Sequence, residues 1–126
     1  MSKLRLEVQF RLPPYAFPRN EWRKAIYLGA AAAFRKRGIQ YSDSDKLEVE
    51  ICLYLEAHNL RKHDLDNRAK DVLDSLQARF GGPKRLRSEV PLIPNDSQVF
   101  RLIISKTLPP NQSLGLGHVM IRRFRP

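Results

Sequence analysis

The sequence contains little cysteine and no long hydrophobic run. These two deficits argue against a disulfide-bonded secreted protein and against a membrane-spanning protein. Cys52 is the only cysteine among 126 residues, so no disulfide can form within one chain, as is usual in a reducing compartment. The N-terminal MSKLRLEVQF lacks the apolar stretch of a secretory signal, and the small-residue run 29–33 is too short to cross a bilayer. We therefore expect a cytoplasmic protein without a membrane span.

Acidic residues are also outnumbered. The chain has 23 Lys and Arg against 13 Asp and Glu, which gives a formal net charge of +10 and a pI near 10.3. Such a charge predicts a polyanionic partner, above all nucleic acid. A membrane surface is less favoured, because no segment combines a long Lys/Arg face with an apolar face rich in Trp, Phe and Leu. The length suits one core, and we expect a single domain over 1–126.

Alternating apolar residues predict the strands, and a spacing of three to four predicts the helices. Strands are expected over 3–12, 47–55 and 97–106, with 118–125 as a final edge strand. Asn20 is expected to cap a first helix that carries Trp22 in its apolar stripe and stops at Gly38. A second helix is expected from about 67 to 80, with Asp66 as its N-cap. The predicted fold is α+β, a small mixed sheet with two main helices on one face.

The run DLDNRAKDVLDSL carries the most specific chemical pattern. Asp66, Lys70 and Asp74 are spaced i, i+4 and i+8, so they line one side of the second helix beside its packed face. Asp64 lies two residues earlier, and the turn into the helix could bring it and Asp66 around one Mg²⁺ ion. A helix cap, a surface ion pair and a solvated loop residue would also explain these side chains.

The same run, followed by NDSQVFRLIISK, resembles the RusA family of Holliday junction resolvases. The matching residues form a D-x-D-N helix start, a Lys four residues on, a D-x-L and a D-S-Q-V strand that ends in Lys. In this sequence they are Asp64, Asp66, Asn67, Lys70, Asp74, Leu76, Asp96, Ser97, Gln98, Val99 and Lys106. The resemblance covers residues 47–106 well and the first 40 residues only in outline.

The resemblance implies a Mg²⁺-dependent endodeoxyribonuclease that acts as a homodimer on four-way DNA junctions. It implies that Asp64, Asp66 and Asp96 are catalytic carboxylates that bind the metal, and that Lys70 is a catalytic lysine. The family often has paired acids where this chain has Asn95 and Asp96, so Asp96 is the only carboxylate there. The number of metal ions, one or two, stays open.

Basic residues around these positions are candidate contacts to DNA phosphates. They are Arg61, Lys62, Arg68, Lys84, Arg85, Arg87 and Lys106. Solvated surface is the alternative for each of them, and the loop 81–96 suits either interpretation. The alternative function is a nucleic-acid-binding protein that has the fold but not the chemistry. The alternating first strand and the helix of Trp22 are candidates for dimer contacts.

Overall fold

Four strands and two helices make up the computed structural model, which describes residues 6–15, 18–56, 61–80, 89–109 and 116–126. The elements are β1 (Val8–Leu12), α1 (Arg19–Arg37), β2 (Leu47–Tyr54), α2 (Leu65–Leu76), β3 (Val99–Thr107) and β4 (Gly117–Arg123). The strands form one mixed sheet in the order β1-β4-β2-β3. This confirms the predicted α+β class with a small mixed sheet and two helices. No helix in the described ranges is both long enough and apolar enough to cross a membrane.

Strand β4 lies inside the sheet, so its predicted place at an edge was wrong. It pairs antiparallel with β1, where Ile121 faces Val8, and antiparallel with β2, where Ile121 also faces Val49. Apolar side chains on both neighbours make the interior position favourable for Ile121 and Val119, which are fully buried. Among the described strands, β1 and β3 are the edges, and β3 runs parallel to β2.

The core lies between the sheet and the two helices. Alternate residues of β1, β2 and β4 point into it, as their buried positions show. Trp22, Ile26 and Phe34 of α1 and Val72 and Leu76 of α2 pack from the other side. Strand β1 begins later than expected: positions 3–5 lie outside the described residues, and Leu6 has a φ of 48°, which is not extended.

The helix boundaries differ from those predicted at three of four ends. Helix α1 begins after Pro18 rather than at an Asn20 cap, but Gly38 ends it in the left-handed conformation, as predicted. Helix α2 has Asp64 as its N-cap and ends at Leu76. Because α2 begins two residues earlier than expected, Asp66 lies inside its first turn rather than at its cap.

The face of the sheet opposite the helices carries an ion-pair network around a buried carboxylate, Glu48. Glu48 is only 2% exposed and accepts hydrogen bonds from Arg122 Nε at 2.6 Å and Arg101 Nη1 at 3.0 Å. A third contact joins Arg122 to Glu50 at 3.3 Å. Burial alone would raise the pKa of Glu48, but the hydrogen bonds and charges of the two arginines outweigh it and lower that pKa.

Glu48→Gln is expected to make the free energy of unfolding depend less on pH in the acidic range. A carboxyl whose pKa is lower in the folded state adds stability at pH values above its unfolded pKa, and this stability is lost as pH falls through the folded pKa. The free energy of unfolding of the wild type, measured with urea, should therefore fall between about pH 5 and pH 3, and that of the variant should fall less. Glu56→Gln, at an exposed position, is the control. Equal pH dependence in all three proteins would contradict the prediction.

Candidate active site

A cleft of about 640 Å³ lies between α2 and β3. Helix α2 forms one wall, β3 contributes Leu102 and Ile104, and the residues on either side of the 81–88 segment add Arg79 and Asp96. The full lining comprises Leu65, Asp66, Ala69, Lys70, Leu73, Asp74, Arg79, Asp96, Leu102 and Ile104. Three of the four predicted catalytic residues, Asp66, Lys70 and Asp96, thus line one cleft.

The polar residues that α2 contributes to the cleft are spaced four positions apart in the sequence. Positions 66, 70 and 74 lie one above the other on α2, and each step of four residues advances about 6 Å along the axis. Ala69 and Val72 turn the adjacent side of the helix toward the core. Lys70 is exposed and has no ion-pair partner among the described residues. Its ammonium group is therefore available to an anion in the cleft.

Asp96 is held by a short turn that the sequence analysis had assigned to a loop and a strand. Asp96–Gln98 is a 3-10 helix capped by Asn95, whose Oδ1 accepts from Ser97 N at 2.9 Å. Gln98 Oε1 accepts in return from Asn95 N at 2.9 Å, which completes a capping box. Asn95 thus has a structural role, whereas Asp96 is exposed to solvent.

Asp64 stands apart from this cleft. It is the N-cap of α2, and its Oδ2 accepts a long hydrogen bond of 3.4 Å from Asn67 Nδ2. It does not line the cleft, whereas Asp66, the second residue of α2, does. Within the described ranges, no three acidic, His or Cys side chains lie close enough to form a metal site by themselves. The structure therefore does not assemble the predicted three-carboxylate site.

The chemistry of the cleft still fits magnesium. This ion is usually held by one or two protein carboxylates, with water and substrate phosphate as its other ligands. Asp66 and Asp96 supply exposed carboxylates of that kind on two different elements. A metal bound here would depend on the substrate for part of its coordination.

Next to the cleft lies a buried cluster that the sequence analysis missed. Asp71 is fully buried and accepts from Arg19 Nε at 2.6 Å and from Arg23 Nε at 2.9 Å. Arg23 also reaches Asp74 in the cleft, at 3.4 Å. The cluster joins the first turns of α1 to the middle of α2, so it fixes the helix that carries Asp66 and Lys70.

Arg68 belongs to this cluster and not to a DNA-binding surface. Its Nε lies 3.2 Å from Asp71 Oδ2, close enough for an ion pair although not in hydrogen-bonding geometry. Its guanidinium stacks over the rings of Tyr15 and Trp22, at 4.5 and 5.5 Å from their centroids. At 7% exposure Arg68 is unavailable to a phosphate, and the prediction for it was wrong.

His63 is a further neighbour of this aromatic group. Its ring packs edge-on against Tyr15, at 5.1 Å between centroids. Burial is the main cause that lowers the pKa of His63, and the charges of Arg68, Lys106 and Lys62 act in the same direction. The ring is therefore kept neutral and does not add to the positive charge near α2.

The other predicted DNA contacts lie in three different settings. Arg61 and Lys62 are exposed just before α2, where they remain candidates. Lys106 is half-buried on β3, two residues beyond Ile104 of the cleft wall. Lys84, Arg85 and Arg87 lie outside the described residues, as does the first half of the loop 81–96.

Comparison of the sequence with protein-family models and with curated proteins finds no match. Membership of the RusA family therefore stays a prediction that rests on the motif residues. What the structure adds is their placement: Asp66, Lys70 and Asp96 share a cleft, and Asp64, the N-cap of α2, is not among its lining residues.

Proposed function

We propose that the chain is a structure-selective endodeoxyribonuclease that resolves four-way DNA junctions, with roles in DNA recombination and repair, by magnesium-dependent phosphodiester hydrolysis. The observation that carries the proposal is the cleft between α2 and β3, which is lined by exposed carboxylates and an exposed lysine in a chain of net charge +10. Carboxylates at a DNA-binding surface repel phosphate unless a cation lies between them. Their presence in so basic a chain favours catalysis over binding alone.

Three charged residues of the cleft and two basic residues that precede α2 have roles in this proposal. Asp66 and Asp96 would hold the metal, which when bound would polarise the scissile phosphate and lower the pKa of an attacking water. Lys70, one turn beyond Asp66, places its ammonium group where negative charge develops on the phosphoryl oxygens. Arg61 and Lys62 at the start of α2 contact the backbone of a DNA arm and orient it.

A homodimer is part of the proposal, because symmetric cutting of a junction needs two sites related by a twofold axis. The apolar face of β1 and the Trp22 side chain, which belong to the elements predicted for it, are buried in the chain's own core. Strand β3 is a better candidate, since Phe100, Leu102 and Ile103 on this edge strand are 40–55% exposed. Pairing of two β3 edges would continue the sheet and bring two clefts onto one assembly.

The second candidate function is a nucleic-acid-binding protein without catalysis. The position of Asp64 favours it, because a site that loses one of three expected carboxylates holds a metal less firmly. Both candidates predict junction binding, and only the nuclease predicts a dependence on magnesium for cutting.

The deciding experiment incubates the protein with an end-labelled four-way junction, with and without magnesium. We expect paired cuts at symmetric positions in magnesium and intact DNA in EDTA. A linear duplex made from one junction strand and its full-length complement is the control and should be cut far more slowly. Binding of the junction without cleavage at any magnesium concentration would favour the second candidate. Equal cutting of junction and duplex would contradict structure selectivity.

A further inference from the structure

Arg79 is a cleft residue that neither the motif nor the sequence pattern singled out. It follows α2 in a turn that has the hydrogen bonds of a Schellman motif. Ala78 N donates to Ser75 O at 3.0 Å, and Arg79 N donates to Asp74 O at 2.8 Å. These bonds reverse the chain at the end of α2, and Arg79 lines the cleft together with Asp74.

The conformation of Ala78 shows how firmly this turn is held. Its φ is 59°, in the left-handed region that glycine normally occupies at the end of a helix. Ala78 is fully buried, so packing of its methyl group offsets part of the backbone cost. A buried, hydrogen-bonded turn of this kind keeps the backbone of Arg79 in one place beside the cleft.

The guanidinium of Arg79 is free to bind a ligand. Arg79 is exposed and forms no ion pair with any described residue, whereas the neighbouring Asp74 pairs with Arg23. Lys70 and Arg79 are thus two cations in one cleft that form no ion pair with the part of the chain that the structure describes, and the last turns of α2 separate them. A guanidinium suits phosphate better than an ammonium does, because its planar fork can donate two parallel hydrogen bonds.

We propose that Arg79 binds a backbone phosphate next to the one that is cut, and so sets the register of the DNA strand along the cleft. The inference rests on the proposed function in that it takes DNA as the occupant of this cleft. Lys70 and the carboxylates act at the reacting phosphate, and Arg79 acts as a positioning residue at the far end of α2. Lys70 and Arg79 together would accept a DNA strand that runs along α2 and exclude a DNA strand that crosses α2.

The test measures junction binding over a series of salt concentrations, with calcium in place of magnesium to prevent cleavage. Each phosphate contact contributes about 0.9 to the slope of log affinity against log salt. Arg79→Gln should bind about tenfold more weakly, with a slope lower by about 0.9. Arg79→Lys should retain the slope, because it keeps the charge. Arg37→Gln, which removes an exposed arginine from the last turn of α1, is the control and should behave as the wild type.

A second readout separates positioning from folding. In magnesium, cuts by Arg79→Gln should spread over adjacent phosphodiesters, while the wild type and Arg37→Gln cut at one position. Salt slopes and cut positions equal to those of Arg37→Gln would overturn the inference while leaving the nuclease proposal intact. The changed slope in a protein that never cuts would keep Arg79 as a phosphate contact, and would overturn both its role in setting the cut position and the nuclease proposal. Failure of the wild type to bind the junction would overturn both.

Discussion

Asp66→Asn is expected to lower the rate of junction cleavage at least about a hundredfold and to leave binding unchanged or tighter. Loss of even an outer-sphere partner of a metal ligand typically costs 10- to 100-fold, and loss of a ligand costs at least as much. Asn keeps the size of the side chain but removes one negative charge from a cleft that must accept phosphate. Single-turnover cleavage and gel-shift titration of the same protein measure the two effects separately.

Two further variants make this expectation specific. Glu21→Gln removes an exposed carboxylate from the first turn of α1, outside the cleft, and should cut as the wild type does. Asp96→Asn should lose activity as Asp66→Asn does, whereas Asp64→Asn should lose less, because Asp64 does not line the cleft. Undiminished cutting by Asp66→Asn would refute the site. Equal losses for Asp64 and Asp66 would favour the three-carboxylate arrangement that the family resemblance implies.

Asp71→Asn should produce the largest loss of stability of any change near the site. The fully buried carboxylate neutralises Arg19 and Arg23 and lies within ion-pair distance of Arg68. Removal of one partner from a buried ion pair leaves uncompensated charge and costs about 3–5 kcal/mol. For a chain of this length, that corresponds to a fall in the melting temperature of roughly 10–20 °C.

Thermal and urea unfolding, followed by circular dichroism, would measure this loss. Asp43→Asn makes the same chemical change at an exposed position before β2 and should alter stability by no more than about 0.5 kcal/mol. A change below about 1 kcal/mol for Asp71→Asn would mean that water compensates the three arginines. The cluster would then be a surface network and not the support of α2.

The sequence predicted the row of polar residues on α2 better than the order of the strands, for physical reasons. Helical spacing is local, so the row of positions 66, 70 and 74 on α2 could be read from the chain alone. Sheet order depends on pairing between distant segments, and the alternation in 118–125 suits an edge strand as well as an interior one. The interior position of β4 therefore came only from the structure.

The least reliable predictions were those about which charged side chains are exposed. Arg68 and Asp71 are three residues apart in a polar run, and nothing in their spacing distinguishes a buried pair from a solvated one. Their burial depends on Tyr15, Trp22 and Arg19, which come from another part of the chain. The predicted start of α2 was two residues too late, so the sequence assigned the N-cap to Asp66 although Asp64 has that position. For this reason the sequence did not show that the two aspartates have different settings.

The place of β4 between β1 and β2 also has a consequence for the folding pathway. Val8 pairs with Ile121 and Val49 pairs with the same residue, so the centre of the sheet joins segments far apart along the chain. Long loops must close before such contacts stabilise anything, which slows folding. Pairing between β2 and β3 joins residues that are closer along the chain: Val49 lies 53 positions from Leu102, against 72 from Ile121 of β4. Helix α2 lies between β2 and β3 in the chain. We expect the walls of the cleft to assemble early and the sheet to be completed in the last, rate-limiting step.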